Sequence, residues 1–128
     1  MAHIIINPLL HAAIINPSEK QIVRTLSGDA IWARRPTGVP YGMPSGHAES
    51  FTVLSYLLYK KGIISGWGCT FIITLVGLQR IFYNRHTLLQ VLVGTCLGLL
   101  YGYMYSKSKN PFLQCLIITL LFYTLSRL

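Results

Sequence analysis

Apolar and polar positions fall in long blocks along this chain, and the apolar blocks have lengths suited to membrane-crossing helices. They run from Phe51 to Ile64, Trp67 to Phe82, Leu88 to Tyr105 and Phe112 to Leu125. Each lies near the lower end of the roughly 17 to 25 residues that a spanning helix needs. The pattern predicts an all-α integral membrane bundle with about four transmembrane helices. The first block reaches spanning length only if its helix begins near Ser45 or His47, which sets Pro44-Ser45-Gly46-His47 at a helix N-terminus.

Residues 18–44, SEKQIVRTLSGDAIWARRPTGVPYGMP, are rich in Gly, Pro and charge. They read as a short helix around Lys20 to Ser27 followed by an ordered loop. Ahead of them, MAHIIINPLLHAAIINPSEK has no basic leading region, and Pro8 and Pro17 interrupt its apolar run. That stretch reads as a segment lying in the interface or entering partway, not as a cleaved signal peptide. The expected organisation is one domain: a reduced N-terminal helical region over 1–33, a catalytic core over 34–105 and a C-terminal transmembrane helix over 111–128. No internal repeat or low-complexity tract is expected.

Composition agrees with a membrane setting. Of 128 residues, 52% are hydrophobic and 11% charged, and the mean hydropathy is +0.51, more apolar surface than a soluble domain of this size can hide. The net charge of +8 sets eleven Lys and Arg against Glu19, Asp29 and Glu49, which favours anionic partners or headgroups. Nucleic acid is a poor fit, because the aromatic residues lie inside apolar runs instead of on a basic polar face. Three widely spaced carboxylates do not suit a two-metal phosphohydrolase, so no metal or other cofactor is expected and phosphate chemistry falls to cationic side chains. Cys69, Cys96 and Cys115 sit in apolar stretches and read as small buried hydrophobes. His3 and His11 read as structural. Gly94, Gly98 and Gly102 form a small-residue stripe for close helix packing, and Tyr101, Tyr103 and Tyr105 read as an aromatic belt.

Lys60 and Lys61 close the first apolar block, and Lys107 and Lys109 lie between the third and fourth. By the positive-inside rule these loops face the cytoplasm. The opposite, lumenal or extracytoplasmic side then collects Arg34, Arg35, the PSGH segment and the turn QRIFYNRH. The membrane is that of the endoplasmic reticulum in a eukaryotic or viral setting and the plasma membrane in a bacterial one.

There the chemistry gathers. A helix starting at Ser45 leaves backbone N–H groups at Gly46 and His47 for a phosphoryl group. Arg35 and Arg80 each offer a fork of N–H donors to its oxygens. His86 and Gln90, at i and i+4, share a helix face, so the Gln90 carboxamide oxygen can accept the Nδ1 proton and leave Nε2 of His86 free to attack phosphorus. His47 would protonate the leaving oxygen and then activate water. Arg34 and Arg85 stay outside this set as interfacial charges.

The order Arg35-Pro36, PSGH and R-x5-H resembles the type 2 phosphatidic acid phosphatase superfamily, which includes vanadium haloperoxidases, over about residues 20–105. The resemblance implies that Arg35, Ser45, Gly46 and Arg80 bind phosphate, that His47 is the general acid and His86 the nucleophile, and that no metal is needed. Two positions depart from the pattern. Gly28 stands where the family carries a phosphate-binding Lys, with Lys20, Arg24 or Arg34 as stand-ins, and Gln90 stands where Asp is usual. YGMPSGHAES and HTLLQV are similar to the dolichyl-diphosphate phosphatase branch, which implies a polyprenyl diphosphate substrate. Phosphatidate hydrolysis and an inactive lipid-phosphate-binding or scaffold protein are the alternatives; halide oxidation fits a soluble chain and not this one. Oligomeric state is left open. On this reading, Gln90→Asp should preserve or raise turnover.

Overall fold

The computed structural model describes residues 3–28, 30–37 and 41–127, and within them the regular elements are all helical. Helix α1 (His3–Leu10) passes through one π turn (His11–Ile15) into α2 (Asn16–Ser27) without a break. The short helix expected around Lys20 to Ser27 thus begins earlier, at Asn16, and continues from α1. Pro17 falls in the first turn of α2, where its missing N–H costs least, and the widened turn just before it eases the crowding a proline imposes on the preceding turn. Pro8 is carried inside α1.

The rod ends at Gly28, whose φ of 60° is left-handed and suits glycine. A single 3-10 turn (Ile31–Ala33) and a loop lead to α3 (Gly46–Lys60), α4 (Gly66–Phe82), α5 (Leu88–Lys107) and α6 (Pro111–Ser126). Ser45, Ser65 and Thr87 cap α3, α4 and α5 through their hydroxyls. Helix α3 stops before the end of its apolar block because Gly62 turns left-handed at φ 75° and Ser65 starts the next helix. Helix α5, with 20 residues, is long and apolar enough to cross a membrane, and α4 and α6 are shorter apolar helices.

Close packing of α3 on α5 positions the site. A Cβ on Gly94 would lie 2.7 Å from the Ser45 carbonyl oxygen, one on Gly98 2.6 Å from that of Glu49, and one on Gly102 2.9 Å from the Tyr56 ring. The glycine stripe therefore works within the chain, letting the α5 backbone touch the start of α3. Tyr101 and Tyr105, expected in a belt, are instead buried with Ile15, Val53 and Leu57 in the core. Their i, i+4 spacing puts them on the inner face of α5, while Tyr103 faces outward. Cys69 and Cys115 are buried as expected, but Cys96 is exposed. Large apolar side chains cover the outer faces of the last three helices, among them Phe71, Leu75, Leu92, Leu100, Ile117 and Leu121.

Candidate active site

The two ends of R-x5-H are joined by a turn folded back on one carbonyl. The backbone N–H groups of Arg85 and His86 donate to Arg80 O at 3.0 and 3.3 Å, with Asn84 in left-handed conformation at φ 56°. Five residues thus close into a single turn, and His86 returns beside the end of α4 that carries Arg80. The start of α3 meets this turn through α5, where Ser45 N–H donates to Gln90 O at 3.2 Å.

His86 is almost fully buried, and its Nδ1 lies 3.1 Å from Gly42 O and 3.2 Å from Gln90 Oε1. Both neighbours are acceptors, so Nδ1 carries the proton and Nε2 keeps its lone pair. The Gln90 carboxamide is held at both ends. Its Oε1 also accepts from Thr87 N–H at 3.1 Å, and its Nε2 donates to Trp32 O at 3.1 Å and to Arg34 O. Gln90→Glu, which keeps the side-chain length, would set a carboxylate oxygen against the two carbonyls that Nε2 now serves.

An open cavity of about 360 Å³ is lined by Lys20, Arg35, Gly46, His47, Arg80 and His86, together with Asn16, Ser50 and the apolar Ala12, Pro17 and Phe51. The residues singled out from sequence that face it are therefore Arg35, Gly46, His47, Arg80 and His86. Gln90 stands behind His86, and Ser45 is buried, its hydroxyl accepting from Ala48 N–H at 3.4 Å as a helix cap. The Nε atoms of Arg35 and Arg80 are buried without a protein partner.

Of the three stand-ins for the family lysine, Lys20 lines the cavity. Arg24 donates to the Tyr41 hydroxyl at 2.6 Å, and Arg24 and Arg34 border a small neighbouring crevice. The local reason for the departure is visible at Gly28, where α2 terminates in a left-handed turn that a lysine would strain. Burial above all, with the Arg35 and Arg80 charges beside it, lowers Lys20 to about 8. Burial, followed by the Lys20 charge, lowers His86 to about 4 against the opposing pull of Gln90.

Two residues missed in the sequence hold this frame. Gly42 accepts from His86, donates its own N–H to Ala33 O at 2.9 Å, and has no room for a side chain: a Cβ would lie 2.6 Å from Gln90 Nε2 and 2.7 Å from Arg35 N. Asn16 donates to Pro44 O at 3.2 Å and to Glu49 Oε2 at 3.0 Å, and its Oδ1 would be 2.7 Å from a Cβ on Gly46. A signal for Asn16 was present, because Ile-Ile-Asn-Pro occurs twice, at 5–8 and 14–17. Each of these asparagines is buried and donates to a distant carbonyl, Asn7 reaching Pro111 O at 3.3 Å.

The widely spaced carboxylates are not all separate in the fold. Glu19 and Glu49 meet in the interior, where Nε2 of buried His11 lies 3.7 Å from Glu49 Oε1. They sit behind Asn16 and do not line the cavity. His11 also donates through Nδ1 to Asn7 O at 3.2 Å, in keeping with a structural role, whereas the side chain of His3 and residue Asp29 lie outside the described residues. Among the described residues no group of three or more His, Cys, Asp or Glu converges on a metal position. What does converge is three cations, two imidazoles and the first N–H groups of a helix, a set that binds an oxyanion and can exchange protons with it.

Comparison with known proteins supports that chemistry. Lipid A 4'-phosphatase of Helicobacter pylori (strain J99) is 28% identical over 82 residues, which is 62% of this chain and 41% of the relative. The chain thus spans about two fifths of the length of the curated relative it matches. No solved structure matches it. The model of the PAP2 superfamily matches residues 13–114, a span that holds all six of the Lys, Arg, Gly and His residues lining the cavity. The chain belongs to the PAP2 superfamily.

Proposed function

We propose that this chain is an integral membrane lipid phosphatase that transfers a phosphoryl group to His86 and then to water. Nε2 of His86 attacks phosphorus, the bond from phosphorus to the lipid oxygen breaks, and His47 gives that oxygen its proton. His47 then takes a proton from water, which attacks phosphorus and breaks the P–N bond, returning His86 and releasing phosphate. Lys20, Arg35, Arg80 and the first N–H groups of α3 hold the phosphoryl oxygens as charge develops on them. The observation that carries this reading is the tautomer of His86: Gly42 and Gln90 engage Nδ1, so Nε2 is the nitrogen left to react in a cavity lined by cations.

The membrane assignment is supported by the length and apolarity of α5 and by the apolar outer faces of α4 to α6. In our reading α3 to α6 span and the polar α2 stays at the membrane surface. Lys60, Lys61 and Lys109 lie together at the opposite end from the cavity, which suits a cytoplasmic lysine end and an extracytoplasmic site. Among substrates, polyprenyl diphosphate leads on the resemblance of YGMPSGHAES and HTLLQV. Phosphorylated lipid A enters on the name of the H. pylori relative, and phosphatidate is the third candidate.

The test is phosphate release by detergent-purified protein, in excess EDTA, from each of these three lipids, beside His86→Ala. Turnover that persists in EDTA and drops by more than about 10³-fold in the variant is the expected result. An acid-labile phosphoprotein trapped by rapid quench, absent from His86→Ala, would identify the intermediate. Release unaffected by His86→Ala would refute the mechanism, and no release from any of the three lipids would leave a lipid-phosphate-binding protein.

A further inference from the structure

The phosphate chemistry uses the polar mouth of the cavity and leaves unexplained a second hollow beside it. This groove, of about 240 Å³, runs between α1 and α3, with Ile5 and Leu9 on one wall and Phe51 and Leu54 on the other. Ala12, Ser50 and Phe51 line both hollows. The small Ala12 stands in the π turn, at the passage from one to the other. Phe51 forms the opposite side of that passage, its ring stacked on His47 with centroids 6.3 Å apart and planes at 17°. Ile5 and Leu9 are more than 60% exposed, so the groove opens sideways along the apolar length of α1.

An amphiphile needs a cationic hollow and an apolar one that share a wall, because its phosphate and its tail are joined by a few atoms. Resting on the phosphatase reading, we infer that the groove between α1 and α3 holds the first segment of one hydrocarbon tail of the lipid phosphate. The tail leaves the cavity between Ala12 and Phe51. The larger hollow between α2 and α6, of about 570 Å³, also reaches the cavity at Pro17, but Ser18, Gln21 and Arg127 are in its lining. A hydrocarbon there would cover polar groups without replacing their hydrogen bonds. In the α1–α3 groove it covers side chains that gain from contact with it.

Two measurements on the full chain in detergent test this. The first uses a single-tailed isoprenyl phosphonate, which is not turned over, with a diazirine in the tail unit next to the head; adducts are mapped by mass spectrometry with and without excess inorganic phosphate. Adducts on Leu9, Ala12, Phe51 or Leu54 that phosphate suppresses are the expected result. Adducts confined to the outer faces of α4 to α6 or to the α2–α6 hollow, or groove adducts indifferent to phosphate, would overturn the proposal. The second compares kcat/KM for an isoprenyl phosphate with that for phenyl phosphate. Leu9→Trp should lower the ratio by about tenfold, whereas Leu121→Trp, on the outer face of α6, should not; equal effects of the two variants would count against the groove. Phosphate-sensitive groove adducts without turnover of either substrate would remove the hydrolase reading and leave the tail path standing.

Discussion

The bundle has a cationic hollow at each end, and the two differ in almost everything except charge and size. At one end Lys20, Arg35 and Arg80 surround about 360 Å³; at the other Lys60, Lys61 and Lys109 border about 400 Å³. Helix direction separates them. Helices α3 and α5 begin at the first end, adding the positive end of the backbone dipole to side-chain charge. They finish at the second, where lysines offset the negative end instead. Two guanidinium groups with orphaned Nε atoms and an imidazole held in one tautomer complete the first end, whereas the second has flexible lysines at exposed positions. On the proposed reading, positive charge alone does not make a phosphate site; charge held against helix starts, beside an imidazole of fixed tautomer, does.

The sharpest way to break this comparison is to remove a guanidinium from the first end. Arg80→Ala should lower kcat by about 10² to 10³-fold, with Arg80→Lys recovering only part of the loss because an ammonium cannot present a planar fork. Next comes Gln90→Glu, which should cost about 10- to 100-fold in kcat through repulsion from Trp32 O and Arg34 O. Gln90→Glu turning over as fast as wild type would show that the carboxamide is not needed at that position.

A smaller effect is a pH profile that belongs to one end only. His86, lowered to about 4, stays neutral through the neutral range, and kcat/KM should fall below that pH as the nucleophile is protonated. Loss of the His47 proton, which the leaving oxygen needs, gives one alkaline fall, and Lys20, lowered to about 8, loses its charge above that pH and gives another. Lys20→Arg should remove the Lys20 fall and keep that of His47, and Lys20→Ala should cost about tenfold at pH 7; a fall above about 8 that survives Lys20→Arg would assign it elsewhere. Smallest of all, Lys60→Ala and Lys109→Ala should change kcat/KM by less than about twofold, since exposed charges at that distance are screened. A larger loss would end the distinction between the two ends.

Local patterns accounted for much of this architecture. The apolar blocks, the helix start at PSGH and the turn within R-x5-H are decided within a few residues and were readable as such. Contacts between distant segments were not. Gly42 looks like any loop glycine until Gln90, Arg34 and Arg35 close around it, and Glu19 and Glu49 look separate until α2 crosses the first turns of α3. Tyr101 and Tyr105 were misjudged as a belt because their spacing marks a shared face without saying which face is inside. The continuous rod was hidden for a different reason: a π turn before Pro17 lets the helix run on, Pro8 is carried within α1, and nothing in their immediate neighbours announces either.

That π turn also acts as a phase shifter. It winds one extra residue into the rod, so the half beyond it is rotated relative to a plain α-helix by about 100°. Asn16 and Lys20 owe their direction to that offset: tightening His11–Ile15 into plain α-helix at the same length would swing both away from the cavity, whereas deleting one residue there would remove the extra residue and leave both pointing as they do. Winding, and not only chemistry, is thus under constraint in this stretch, and a substitution that favours plain α-helix there would turn the polar half away from its site.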